Sequence, residues 1–147
     1  MTPTSFVATI DVTLRQYADA QIAFDMRAYL LNQFEFLGIR APVRRQVQAG
    51  VLDAQRISDD WIEHSDFWVR RCAMLHQLGW RLGTDTSRLF RYSEQLASED
   101  EFFIRKAIGW ALRDYARWNP TAVQNFIEKK QGVFSGLTVR EATKHLK

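Results

Sequence analysis

One six-residue pattern recurs along this chain at a fixed distance. Asp66-Phe67-Trp68-Val69-Arg70-Arg71 aligns with Glu101-Phe102-Phe103-Ile104-Arg105-Lys106, 35 residues further on. After another 35 residues, Val139-Arg140 falls in register with Ile104-Arg105. Val43-Arg44-Arg45 carries the same triplet near the start, out of that register. A period of this length in helical hairpins is the sign of a solenoid of HEAT or armadillo type, in which each unit buries its apolar face against the next. The pattern predicts an all-α fold, an α-solenoid of antiparallel helix pairs. Seven Gly and three Pro leave little room for the turns of an all-β chain. At 46% hydrophobic and 13% aromatic residues the chain is no disordered segment. Its 147 residues fit a single domain with a sizeable core.

Helical periodicity places the elements. Helices are expected over 4–17, 19–33 and from Pro42 to Gly50, where Pro42 suits the first turn because its missing N–H would be unpaired there anyway. Further helices are expected over 53–64, 66–80, 85–97 and 101–118. Ser98 and Glu101 have capping-box spacing, as do Thr138 and Glu141 ahead of a short last helix. Asn119-Pro120 reads as a cap followed by a first helical position.

The stretch 101–118 carries most of the functional signal. At about 100° per residue, Ile104, Ile108, Ala111, Leu112 and Tyr115 form a core stripe. The opposite face carries Phe102, Lys106, Gly109, Trp110, Arg113 and Arg117. Cations interleaved with aromatics, beside a glycine that allows close approach, suit a partner that is both anionic and flat-faced, and nucleic acid is the commonest. The competing reading puts Trp110 under a neighbouring helix and leaves the cations merely solvated. Net charge is +3 and the pI about 9.2, which permits a polyanion partner without demanding one.

Other polar residues sort by their neighbours. Arg70 and Arg105 each follow an acid, Asp66 or Glu101, by four residues, the favourable order for a helical ion pair. Arg71 shares its face with Phe67, Met74, Leu75 and Leu78, so it needs an anion, either a carboxylate of this chain or a ligand phosphate. His64, His76 and His145 have no metal-ligand spacing with Cys72, and His76 reads as a core or helix-end histidine. No phosphate loop or nucleophile triad is visible. Neither metal nor cofactor is expected. The lone Cys72 fits a reducing cytoplasm, and no signal peptide or membrane span appears.

These stretches resemble a known family, the AlkD-type DNA alkylation repair proteins, which are HEAT-like and include alkylpurine DNA glycosylases. The matching motifs are AYLLNQFEFLGIRAPVRR (28–45), DFWVRRCAMLHQL (66–78), EFFIRKAIGWALRDYARWNP (101–120) and REATKHL (140–146). The resemblance implies that Trp110 is an aromatic wall of a base-recognition cleft and Arg71 its cleft arginine. It places Phe102, Phe103 and Arg113 on a DNA-facing helix, and Arg44 and Arg45 in a backbone-contacting region. The expected concave face of the solenoid is formed by the helices starting at Pro42, Asp66, Glu101 and Val139.

The departure from the family pattern is large. Between the LGI-x-x-P-x-RR motif and the helix before WVRR, the family carries several helices with a tryptophan-rich motif and the catalytic aspartate. Here Arg45 and Trp61 are joined by little more than QVQAGVLDAQRISDD. The chain is thus a shortened solenoid, with N-terminal helices over 4–50 and repeats over 53–147. Asp53, Asp59 and Asp60 lie in the join, but none has the aromatic neighbourhood of the missing motif. Such an enzyme releases a base that is already cationic, and its carboxylate stabilises the charge growing on the sugar. Without that group, catalysis is expected to be weak or lost. The expected function is binding of duplex DNA, alkylated DNA included, within this family. The alternative is a non-catalytic helical scaffold that binds a protein through the same face. A homo-oligomer would restore part of the lost concave surface.

Overall fold

The computed structural model describes residues 8, 12, 15–29 and 54–146. By contact the chain divides into two compact units, Met1–Ala54 and Gln55–Lys147. In the first, helix α1 spans Ala20–Tyr29 and Ala8, Val12 and Arg15 are also helical. The Asp19 carboxylate caps α1 by accepting from the Ile22 N–H at 3.0 Å. The helix expected from Pro42, with Arg44 and Arg45, lies outside the described residues, as does Asp53.

The second unit runs through α2 (Ala54–Trp61), α3 (Phe67–Leu75), a 3₁₀ turn (Arg81–Gly83), α4 (Thr86–Gln95), α5 (Phe102–Ala116), α6 (Pro120–Lys129) and α7 (Gly136–Ala142). Among the described residues every regular element is helical, so the expected all-α, solenoid-like architecture holds. No helix among them is long and apolar enough to cross a membrane. The caps explain where the helices start. Asp66, Asp85, Asn119 and Ser135 each accept a backbone N–H of the first turn. Asn119-Pro120 is the cap and first position that the sequence indicates. The two capping boxes are not formed as expected. Glu101 itself is the N-cap of α5, without a side-chain cap bond, so Ser98 stands outside the helix. Ser135 caps α7 three residues ahead of Thr138, which frees the Thr138 hydroxyl to bond the Arg105 carbonyl at 3.1 Å.

Helix α3 is shorter than the 66–80 expectation. It stops at Leu75, and Gly79, at φ 81°, turns the chain. His76 is buried at this helix end, and its Nδ1 lies 2.6 Å from the Ala73 carbonyl.

Helices one repeat apart stack on each other. Helix α5 packs against α3 on one side and α7 on the other. The ties recur at the repeat distance. The Trp68 and Phe103 rings lie 4.9 Å apart, the Gly79 N–H donates to the Asp114 carboxylate at 2.6 Å, and Lys106 pairs with Glu141 at 3.1 Å. In the alternate layer, Phe90 of α4 stacks face to face on Phe126 of α6 at 4.0 Å, and Lys130 reaches Glu94. The expected core stripe of α5 is buried throughout, with Ile104, Ile108 and Leu112 essentially inaccessible. Around them pack Ile62, Met74, Leu89, Tyr92, Leu96, Val123 and Phe126.

Gly109 corrects one expectation. It does not wait for a ligand. A Cβ there would meet the Glu141 Cβ at 2.5 Å and the Thr138 carbonyl oxygen at 3.1 Å, so α7 itself makes the close approach. Gly109→Ala should therefore destabilise the protein. Overpacking costs about 1–3 kcal/mol, more than the ~1 kcal/mol that alanine gains in helix propensity. A denaturant midpoint equal to or above that of the unaltered chain contradicts this.

Burial pushes the His76 pKa down from its usual value, partly opposed by the Ala73 carbonyl. A depressed histidine pKa means the unfolded chain binds the proton first as pH falls. The His76 contribution is thus complete above the unfolded value of about 6.5 and is lost as pH drops towards the folded pKa. Between about pH 7.5 and 5.5 the melting temperature should fall, and it should fall less in His76→Asn. Equal losses in both proteins would assign the effect elsewhere.

Candidate nucleic-acid interface

Helices α3 and α5 start in register, so their first turns place like residues side by side. Phe67, Trp68, Phe103 and Phe102 form a chain of rings in that order, with successive centroids 4.6 Å, 4.9 Å and 5.3 Å apart. Phe102, at the outer end, is 53% exposed. One turn further in, Arg71 lies against two of the unit's indoles, its Cζ 5.8 Å from the Trp68 centroid and 5.9 Å from that of Trp110. Lys106 lies 5.5 Å from Trp110 and 5.8 Å from Phe102. The structure therefore brings Trp110, Arg71, Phe102, Phe103 and Lys106 together on two adjacent helices. Trp110, Arg71, Phe103 and Lys106 are each half-buried, so rings and cations share one partly open face.

The cations further along α5 behave differently. Arg113 donates to Glu141 Oε2 at 2.9 Å while Lys106 donates to Oε1 of the same carboxylate at 3.1 Å. Lys106 above all, with Arg113 and Lys144, holds the Glu141 carboxyl below its ordinary pKa. Arg117 is exposed just beyond the helix. Arg44 and Arg45 lie outside the described residues.

The structural arginines pair as ions, but not with the acids expected. Arg70 makes two 2.7 Å bonds to Glu99 and also donates to the His64 and Ser65 carbonyls. Asp66, the expected partner, is occupied in capping Trp68. A bidentate guanidinium–carboxylate pair is the stronger arrangement. Arg105 likewise turns to Asp100 and the Glu99 carbonyl instead of Glu101.

Two residues of this face do not stand out within their own helices. Trp68 occupies the register position of Phe103, and Glu141 that of Lys106. The 35-residue alignment already pairs Trp68 with Phe103, and extending its third copy by one position pairs Glu141 with Lys106.

Two acids of the stretch between Arg45 and Trp61 are described, Asp59 and Asp60. Asp59 accepts from Arg88 at 3.0 and 2.9 Å, from the Tyr92 hydroxyl at 2.7 Å, and from Arg91. Arg88 above all, then Tyr92 and Arg91, holds its carboxyl far below the usual range against the opposing effect of burial. Its oxygens are committed to joining α2 to α4. Asp60 is exposed.

Comparison with known proteins agrees with this architecture. A search of curated proteins found no match. Among solved structures, the chain is similar to a "Predicted DNA alkylation repair enzyme from Enterococcus faecalis", with a TM-score of 0.60 and 22% identity over 88% of this chain and 96% of that one. At that identity the likeness is one of fold. The family described as DNA alkylation repair enzyme matches residues 10–58 and 51–146, nearly the whole sequence. The chain belongs to the DNA alkylation repair enzyme family.

Proposed function

We propose that this protein binds duplex DNA, alkylated DNA included, through the ring-and-cation face of α3 and α5, and that it is a feeble glycosylase or none. The observation that carries the reading is the joint placement of Arg71 and Lys106 against Trp110, beside Trp68, Phe102 and Phe103. Cations on a partly open face attract phosphates, and the rings offer flat apolar surfaces for sugar or base. Arg113 and Arg117 extend the basic surface along α5. The family resemblance implies a backbone-contacting role for Arg44 and Arg45, which lie outside the described residues.

The same arrangement argues against efficient excision. A cationic base seeking the Trp110 ring would meet two cations already there. Excision also needs negative charge beside the sugar. Of the acids near the site or in the described part of the join, Glu141 is neutralised by Lys106 and Arg113, and Asp59 by its arginines. The family match falls into two pieces, 10–58 and 51–146, which overlap over 51–58.

Two measurements test this. The first is duplex affinity as a function of salt for the unaltered chain and for the triple variant Lys106→Ala, Arg113→Ala, Arg117→Ala. The variant should bind more weakly with a shallower log–log slope, by about 0.9 unit for each phosphate no longer neutralised. Helix stability should change little through propensity, because Arg, Lys and Ala differ little on that scale. An identical slope in the two proteins, or salt-indifferent binding with tight capture of a defined protein partner, would replace the DNA reading with that of a scaffold.

The second is single-turnover release of labelled N7-methylguanine or N3-methyladenine with protein in excess. Loss of one aimed electrostatic group costs about 10²–10³ in rate, so release should be slow and barely altered by Trp110→Ala. Rapid release that disappears in the Trp110 variant would mean that another carboxylate has taken the role, with Asp53 and Asp60 the first to replace.

A further inference from the structure

Glu141 sits where a ligand anion would sit. Its two oxygens bridge Lys106 and Arg113, seven residues apart on α5, at 3.1 and 2.9 Å. All three side chains remain about one-fifth exposed, so the triad lies at the rim and is open to water. Gly109 lies midway between the two cations, and its missing side chain is what lets the Glu141 Cβ come so close. The carboxylate is thus held over the helix by backbone packing. Lys106 meanwhile also lies against Trp110, the ring at the centre of the proposed interface. A carboxylate bound by two cations resembles a bound phosphate oxygen pair in charge and in reach.

We propose that Glu141 is an internal phosphate mimic that sets the affinity of this face for DNA. While it bridges Lys106 and Arg113, it cancels part of the charge available to the backbone. A DNA phosphate must then share or displace it. Its position favours duplexes whose phosphates lie within reach of both cations at once and weakens looser binding through one cation alone. Glu141 is therefore a specificity-determining residue, acting through the two cations and touching no reacting atom. This rests on the DNA-binding reading above.

The test is the isosteric variant Glu141→Gln, which keeps the volume over Gly109 and removes the charge. Its duplex affinity is measured against salt beside the unaltered protein, with thermal melting followed by circular dichroism. The slope should steepen by up to about 0.9 unit, because Glu141 cancels one unit of positive charge. The advantage over the unaltered chain then grows up to about eightfold for each tenfold drop in salt. That gain should vanish when Lys106→Gln and Arg113→Gln are added. A folded Glu141→Gln protein that binds no more tightly than the salt-dependent unaltered chain overturns the mimic while sparing the DNA reading. Salt-independent or absent binding by both proteins overturns both. If the variant does not fold, the unaltered protein still decides. On saturation with duplex, the ¹³C carboxyl signal of Glu141 should shift as its cations turn to phosphate, and an unmoved signal overturns the mimic.

Discussion

The contact between Gly109 and helix α7 sets the geometry on which the rest of this face depends. An α-helix is normally kept from its neighbour by side chains, with axes about 8–10 Å apart. Where Gly109 removes that spacer, Glu141, Thr138 and Ala142 lie directly against the backbone of α5. The approach has polar consequences. It brings the Thr138 hydroxyl to the Arg105 carbonyl and the Glu141 carboxylate between Lys106 and Arg113. Lys106 in turn is held near Trp110 and the Phe102 ring. Apolar packing and the charge of the exposed face are thus set by one contact.

The helices and the core are legible in the sequence because they depend on local rules. The stripe from Ile104 to Tyr115 is buried as its spacing indicates, and Asn119-Pro120 starts a helix as its chemistry requires. Pairwise features are harder to read. A capping box at Thr138 and Glu141 is sound by spacing, but both side chains have better partners on α5. The acid four residues before Arg70 is likewise outcompeted by Glu99, which offers two oxygens in fork geometry. Gly109 is a point of close approach, as a lone glycine in a helix suggests, but the approaching surface belongs to the chain itself. Within one helix, sequence spacing shows which residues share a face. Across helices it serves only where the repeat register is applied, as at Trp68 and Phe103 or Lys106 and Glu141.

The fate of the carboxylates follows the same logic. A carboxylate that does chemistry must keep its charge uncompensated and aimed at the substrate. Asp59 and Glu141 are each bound by at least two cations. In that arrangement they hold helices together, α2 to α4 and α7 to α5. These acids thus serve to join the layers of this part of the chain.

The repeat-distance ties have an evolutionary side. Trp68–Phe103, Gly79–Asp114, Lys106–Glu141 and Phe90–Phe126 all connect one repeat to the next. Structures coupled only between nearest neighbours are approximately additive in their units. Removing a unit disrupts the packing at its two borders and leaves more distant packing unchanged. A chain built this way can therefore gain or lose a unit at the cost of the packing at its borders alone.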